Sequence, residues 1–135
     1  MTDGPIIPDG AESTYRRFGF APAYRVGDTV YVSGVIGRGA DGTVPADATE
    51  EFTAAFEQLA HVLRAAGATM ADMVDLTTFH VDLNATIGAF MAVKGRYVAE
   101  PYPAWTAIGC SALAAPGARA EVKAVAVLRT AAPAE

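Results

Sequence analysis

Several things are scarce in this chain, and each scarcity closes off a class of function. Its 135 residues include one cysteine, Cys110, which rules out an internal disulfide and leaves no thiol pair for a metal. With only two histidines, His61 and His80, no zinc site is expected. Ten Lys and Arg against fifteen Asp and Glu leave a net charge of −5, so the basic face that a phosphate backbone requires is missing and no nucleic-acid partner is expected. No run approaches the ~20 apolar residues of a membrane span. The opening MTDGPIIPDG lacks the basic start and apolar run of a signal peptide, so a cytoplasmic protein without membrane contact is expected. The only glycine pair resembling a phosphate loop, Gly37-Arg38-Gly39, lacks the spacing and the following Lys-Ser/Thr, and no cofactor is expected.

What the chain does have is apolar content. Hydrophobic residues make up 52% and charged residues 19%, rich for one small domain spanning 1–135, so some apolar surface is expected to meet another subunit. Residues 1–13, rich in Pro, Gly, Asp and Ser, read as a flexible or surface-draped arm, and the alanine-rich 131–135 as a tail. Tyr15, Phe18 and Phe20 follow the arm and are expected to be buried.

Periodicity then supplies the elements. Ala23–Val26 and Thr29–Ile36 flank Gly27-Asp28 as a tight hairpin. From Asp47, a plausible cap with Glu50 three residues on, the period is helical: Phe52, Phe56, Leu59 and Leu63 share one face, Glu50, Glu51, Glu57 and Arg64 fall largely elsewhere, and Gly67 marks the end. Val74–Leu83 reads as a strand with Leu76, Thr78, His80 and Asp82 on one face. Asn84 is placed to cap a second helix running to about Glu100, with Ile87, Phe90, Met91 and Val98 inward, before Pro101 and Pro103 stop it. Two further strands join at Pro116-Gly117. This order predicts an α+β domain with a mixed sheet and two helices on one face.

The final strand pair carries the most specific pattern. Pro103-Ala-x-Thr106, the Pro-Gly turn and Glu121-Val-Lys-Ala-Val-Ala, together with Gly27-Asp-Thr-Val-Tyr-Val-Ser-Gly34 and Ala65-Ala-Gly67, resemble the signature of the RidA/YjgF family over most of the chain from about Phe18. Many members of that family hydrolyse reactive enamines and imines to ketones and ammonia. The resemblance implies a chorismate-mutase-like fold assembled as a homotrimer, with ligand clefts at the subunit boundaries.

Glu121 leads the candidate site. A carboxylate among Ala120, Val122, Ala124 and Val125 is either a desolvated base or an edge residue paired with Lys123, and the resemblance implies that it positions an attacking water. His80 is a candidate proton donor beside it, or a satisfied structural histidine. Ser33, Ile108 and Gly109 fall where relatives contact ligand. Deaminating relatives carry an arginine where this chain has Trp105, and an indole cannot make the arginine's two-pronged carboxylate contact. Either the substrate has no carboxylate there, or another cation supplies the contact, or the chain does not deaminate amino-acid-derived imines; equally, Trp105 fills the core. Phe20 stands at a usual tyrosine and Lys94 at a common asparagine, which together suggest a larger, flatter or uncharged ligand. The expectation is therefore a hydrolase adding water to an imine, enamine or similar electrophilic carbon, on a substrate other than a small amino-acid-derived imine. The alternative is a non-catalytic trimer that binds a small molecule or regulatory partner in the same cleft.

Overall fold

The structure is a computed structural model that describes residues 2–129. The tail expected at 131–135 lies outside the described residues. Six strands form one sheet in the order β1-β2-β3-β6-β4-β5, comprising β1 (Gly4–Ile6), β2 (Ala23–Val26), β3 (Thr29–Ile36), β4 (Met73–Val81), β5 (Ala104–Cys110) and β6 (Ala120–Val127). The helices are α1 (Glu12–Phe18), α2 (Ala48–Ala65) and α3 (Leu83–Tyr97). The mixed sheet and both long helices are as expected, and α1 is a third helix.

β2 and β3 form the anticipated hairpin, with Tyr24 opposite Tyr31. β4 and β5 run parallel because α3 crosses between them, while β6 is antiparallel to both its neighbours, β3 and β4. The last strand of the chain is thus central in space. Part of the expected arm is ordered, since residues 4–6 pair antiparallel with β2.

The core lies between the sheet and α2 and α3. Phe52, Phe56, Leu59 and Leu63 of α2 and Phe90 and Val93 of α3 are fully or almost fully buried against Val30, Val32, Leu76 and Val122. Each such side chain contributes roughly 1.5–3 kcal/mol by leaving water. Phe90 meets Phe52 edge-on at 5.3 Å. Ala120, Ala124 and Ala126 keep the central strand's inner side low enough for α2 to settle on it.

One helix-face assignment and one cap assignment change in α3. Met91 points outward and Val93 takes the inner position. α3 begins at Leu83 after Asp82, which adopts a left-handed conformation and makes no side-chain cap, so Asn84 is not the cap. Asp47 does cap α2, its carboxylate accepting the Glu50 backbone N–H at 3.0 Å.

Glu51 is the larger departure, because it is completely buried. Its carboxylate accepts from Arg119 Nη1 at 2.7 Å and from the backbone N–H groups of Arg119 at 2.7 Å and Ala120 at 3.3 Å. The same guanidinium donates to the carbonyls of Pro45 and Ala46. Gly37, at the end of β3, lies against the Glu51 carbonyl, where any side chain would collide with backbone. The helical period alone assigns Glu51 to water, and the partner that draws it inward is 68 residues away. Replacing Glu51 by Ala strands a guanidinium and two backbone donors, and denaturant unfolding is expected to show a loss of about 3–5 kcal/mol.

Candidate active site

Strand alternation decides where the candidate residues stand. On β6, Ala120, Val122, Ala124 and Ala126 face the helices, whereas Glu121, Lys123, Val125 and Val127 face the opposite, outer side of the sheet. Glu121 pairs across to Ile36 on β3 and Phe79 on β4, and Phe79 pairs in turn with Ile108 on β5. The carboxylate therefore sits in an apolar row on the outer face. It is half-buried, and among the described residues it makes no ion pair with Lys123 or any other cation.

A β-bulge opens the strand beside it. Between Val32 and Val35 the register of β3 on β6 shifts, so that Ser33 and Gly34 fall where one residue would fit. A methyl on Gly34 would stand 2.5 Å from Oε2 of Glu121, so the carboxylate packs directly on bare backbone. Ser33 donates its hydroxyl to the Ala21 carbonyl at 2.6 Å and its N–H to the Pro22 carbonyl at 3.0 Å. These bonds fix the bulge and hold the segment that carries Phe20. Phe20 is exposed, as are Tyr15 and Phe18, in contrast to the expected burial: no element among the described residues covers them.

Trp105 occupies the other side. It is level with Leu76 on the helix face, stacks on Phe90 at 6.3 Å, and donates its indole N–H to Thr78 Oγ1 at 3.0 Å. Lys94, one helical turn beyond Phe90, places its ammonium 4.5 Å from the Trp105 ring centre and 5.8 Å from that of Tyr102. Gly109 is level with His80 on this same face.

His80 does not join Glu121. The two lie on opposite faces of the sheet, and His80 is wholly buried beneath α3, edge-on to Phe90 at 4.6 Å. Its Nε2 is 2.7 Å from Thr78 Oγ1, and Nδ1 has no partner. Because Thr78 already accepts from Trp105, directing its own proton to Nε2 leaves Nδ1–H as the one unpaired donor. The histidine supports the hydroxyl that orients Trp105, a role that its position in the strand alternation does not reveal. Thr78 and Gly34 are the residues that sequence reasoning passed over. Both act through neighbours on other strands.

The candidate residues thus fall into two groups on one chain. Glu121, the Ser33-Gly34 bulge and Ile108 stand on the outer face, and Trp105, Lys94 and Tyr102 stand at the β5 edge beside α3. Two open clefts of about 440 and 400 Å³ in the single chain, one lined by Arg64, Met70 and Tyr97 and the other by Thr86, Ser111 and Arg119, include none of Glu121, Trp105 and Lys94. No group of His, Cys, Asp and Glu among the described residues is arranged to hold a metal ion, and no helix among them is long and apolar enough to cross a membrane.

The family model for Endoribonuclease L-PSP, Ribonuc_L-PSP, matches residues 13–128. The chain belongs to the RidA/YjgF family. Among curated members it is 38% identical to the RutC family protein YjgH of Escherichia coli over 122 residues, covering 90% of this chain and 92% of that one. It is 31% identical to the 2-iminobutanoate/2-iminopropanoate deaminase of Dermatophagoides farinae, covering 81% and 85%. The solved structure of protein YJGH superposes with a TM-score of 0.85 at 36% identity, covering 97% of this chain and all of the other. A RidA/YjgF member from Mycobacterium tuberculosis, Rv2704, superposes with a TM-score of 0.79 at 25% identity, covering 91% and 98%.

The burial of His80 generates a pH dependence. Desolvation pushes its pKa below the ordinary imidazole value. The unfolded chain therefore binds a proton near pH 6.5 that the folded chain refuses, and stability falls as pH drops below that value. Urea unfolding is expected to show a slope of up to about 1.4 kcal/mol per pH unit just below pH 6.5, absent in His80→Gln.

Proposed function

We propose that the protein is a hydrolase that adds water to a reactive imine or enamine, in a cleft completed between copies of the chain in a homotrimer. The observation that carries this reading is the Glu121 carboxylate, unpaired among the described residues and packed on the Gly34 bulge in an otherwise apolar row. A half-buried carboxylate with no cation to hold it is free to accept a proton from water as that water attacks an electrophilic carbon. The addition yields a carbinolamine, which expels ammonia to leave the ketone. The likeness to proteins named as iminobutanoate/iminopropanoate deaminases supports the same chemistry. The net charge of −5 weighs against an RNA substrate despite the family's label.

The division of the site supports the assembly. Glu121 and Trp105 project from opposite faces of one sheet, so they share a cleft only if different copies supply them. The outer face also carries Tyr24, Val26, Tyr31 and Val127, all exposed in the single chain, an apolar surface suited to burial against a second copy.

The test is ammonia release from freshly generated imines. Wild type is expected to exceed the blank, and Glu121→Ala to lose about 10²-fold or more. Glu121→Ala and Trp105→Ala chains, each impaired alone, are expected to regain up to about a quarter of the wild-type rate when co-assembled at equal amounts, since one cleft in four then holds both residues. No release from any imine by wild type overturns hydrolysis and leaves the small-molecule-binding reading. Release without complementation places the working site within one chain.

A further inference from the structure

We propose that Lys94 is the anion anchor of this cleft, and that the ligand is a flat organic acid lying on the Trp105–Tyr102 surface with its carboxylate on the Lys94 ammonium. The inference rests on the cleft proposed above and specifies what the cleft selects.

Three observations carry it. The first is that the indole is built as a fixed wall: its N–H is held by Thr78, its ring stacks on Phe90, and the Thr78 hydroxyl is itself backed by His80. An aromatic held at its polar edge and at a ring face cannot swing away when a ligand arrives. The second is the delivery of the cation. Phe90 and Lys94 are one turn apart on α3, so the residue that stacks on Trp105 also sets the turn that brings the ammonium to 4.5 Å from the same ring. The third is the missing counter-ion. The chain carries five more acids than bases, yet no carboxylate among the described residues lies within ion-pair distance of Lys94, which is half-buried. Among the described residues, the half-buried Arg119 and Arg25 each have a carboxylate within ion-pair distance, Glu51 at 2.7 Å and Asp28 at 3.8 Å. Among the described residues Lys94 is matched only by the Trp105 and Tyr102 π-faces, which hold a cation in place without neutralising it.

A cation fixed on an aromatic wall with no carboxylate of its own chain beside it among the described residues is complementary to a planar anion, because the ring takes the flat body and the ammonium takes the acid. Of the alternatives open at position 105, this is a second cation replacing the missing guanidinium, supplied from α3 instead of β5. It also argues against the uncharged ligand. Lysine's single-point contact does not impose the fork geometry of arginine, so the flat wall must orient the ligand.

Trp105 is the single tryptophan, and its emission reports on this surface directly, without turnover. Benzoate and its neutral isostere benzamide are the probes, titrated against the full-length protein in its assembled form with excitation selective for tryptophan. Benzoate is expected to change the emission saturably and to bind about tenfold more tightly than benzamide. The preference should vanish in Lys94→Met, whose unbranched chain keeps the packing on the ring, and return in Lys94→Arg. Inorganic phosphate should not displace benzoate. Equal binding of benzoate by wild type and Lys94→Met, no saturable response to benzoate, or displacement by phosphate at matching concentration each overturns the proposal. Because the readout is binding, a protein that selects benzoate through Lys94 yet releases no ammonia upholds this inference while overturning hydrolysis. Ammonia release that is indifferent to Lys94→Met and to the substrate's charge does the reverse.

Discussion

A single buried carboxylate organises this domain. Glu51 stands in the first turn of α2, binds the backbone of Arg119 and Ala120 where β6 begins, and with the Arg119 side chain ties down the Pro45–Ala46 loop. β6 is the strand that joins β1-β2-β3 to β4-β5 in the sheet, and its first residues are set by this contact. Glu121 is the next residue after the tied backbone. The charge is tolerated inside because the guanidinium and two N–H groups satisfy the carboxylate; without any of them, burial would be costly.

The pleat of the same strand then divides the candidate residues. Successive residues of a strand point to opposite faces, so the alanines that accept α2 necessarily send Glu121 outward. Trp105 follows the opposite parity on β5 and goes under the edge of α3. Neither half can be moved to the other face without shifting a whole strand by one residue and exposing its core side. A shared cleft between copies, as proposed, reconciles this parity with joint action, and the unburied aromatics of the outer face and of α1 are consistent with a chain whose core continues across subunits.

Much of this was legible from local pattern. The hairpin at Gly27-Asp28, the Asp47 cap, the apolar stripe of α2 and the α3 crossover all express short-range rules in which period and turn chemistry suffice. The motif around Glu121 was equally plain, because an acid in a run of Ala and Val breaks the run. For His80 the strand pattern leaves two readings open, a proton donor beside Glu121 or a structural histidine, and its burial under α3 fits the second. The alternation that put it beside Thr78 was read correctly, but which face α3 would cover depends on the crossover's packing.

By itself, the sequence determined the order and kind of the main elements, the family pattern and the presence of one anomalous carboxylate in an apolar strand, since these depend on residues a few positions apart. The tertiary structure alone decided that Glu51 is buried, that Ser33 and Gly34 form a bulge under Glu121, that His80 backs Trp105 through Thr78, and that Lys94 lies on the indole. Each of those facts joins residues from separate elements, in the case of Glu51 and Arg119 across 68 positions. Which pairs meet is settled by sheet register and helix packing, both properties of the whole folded chain.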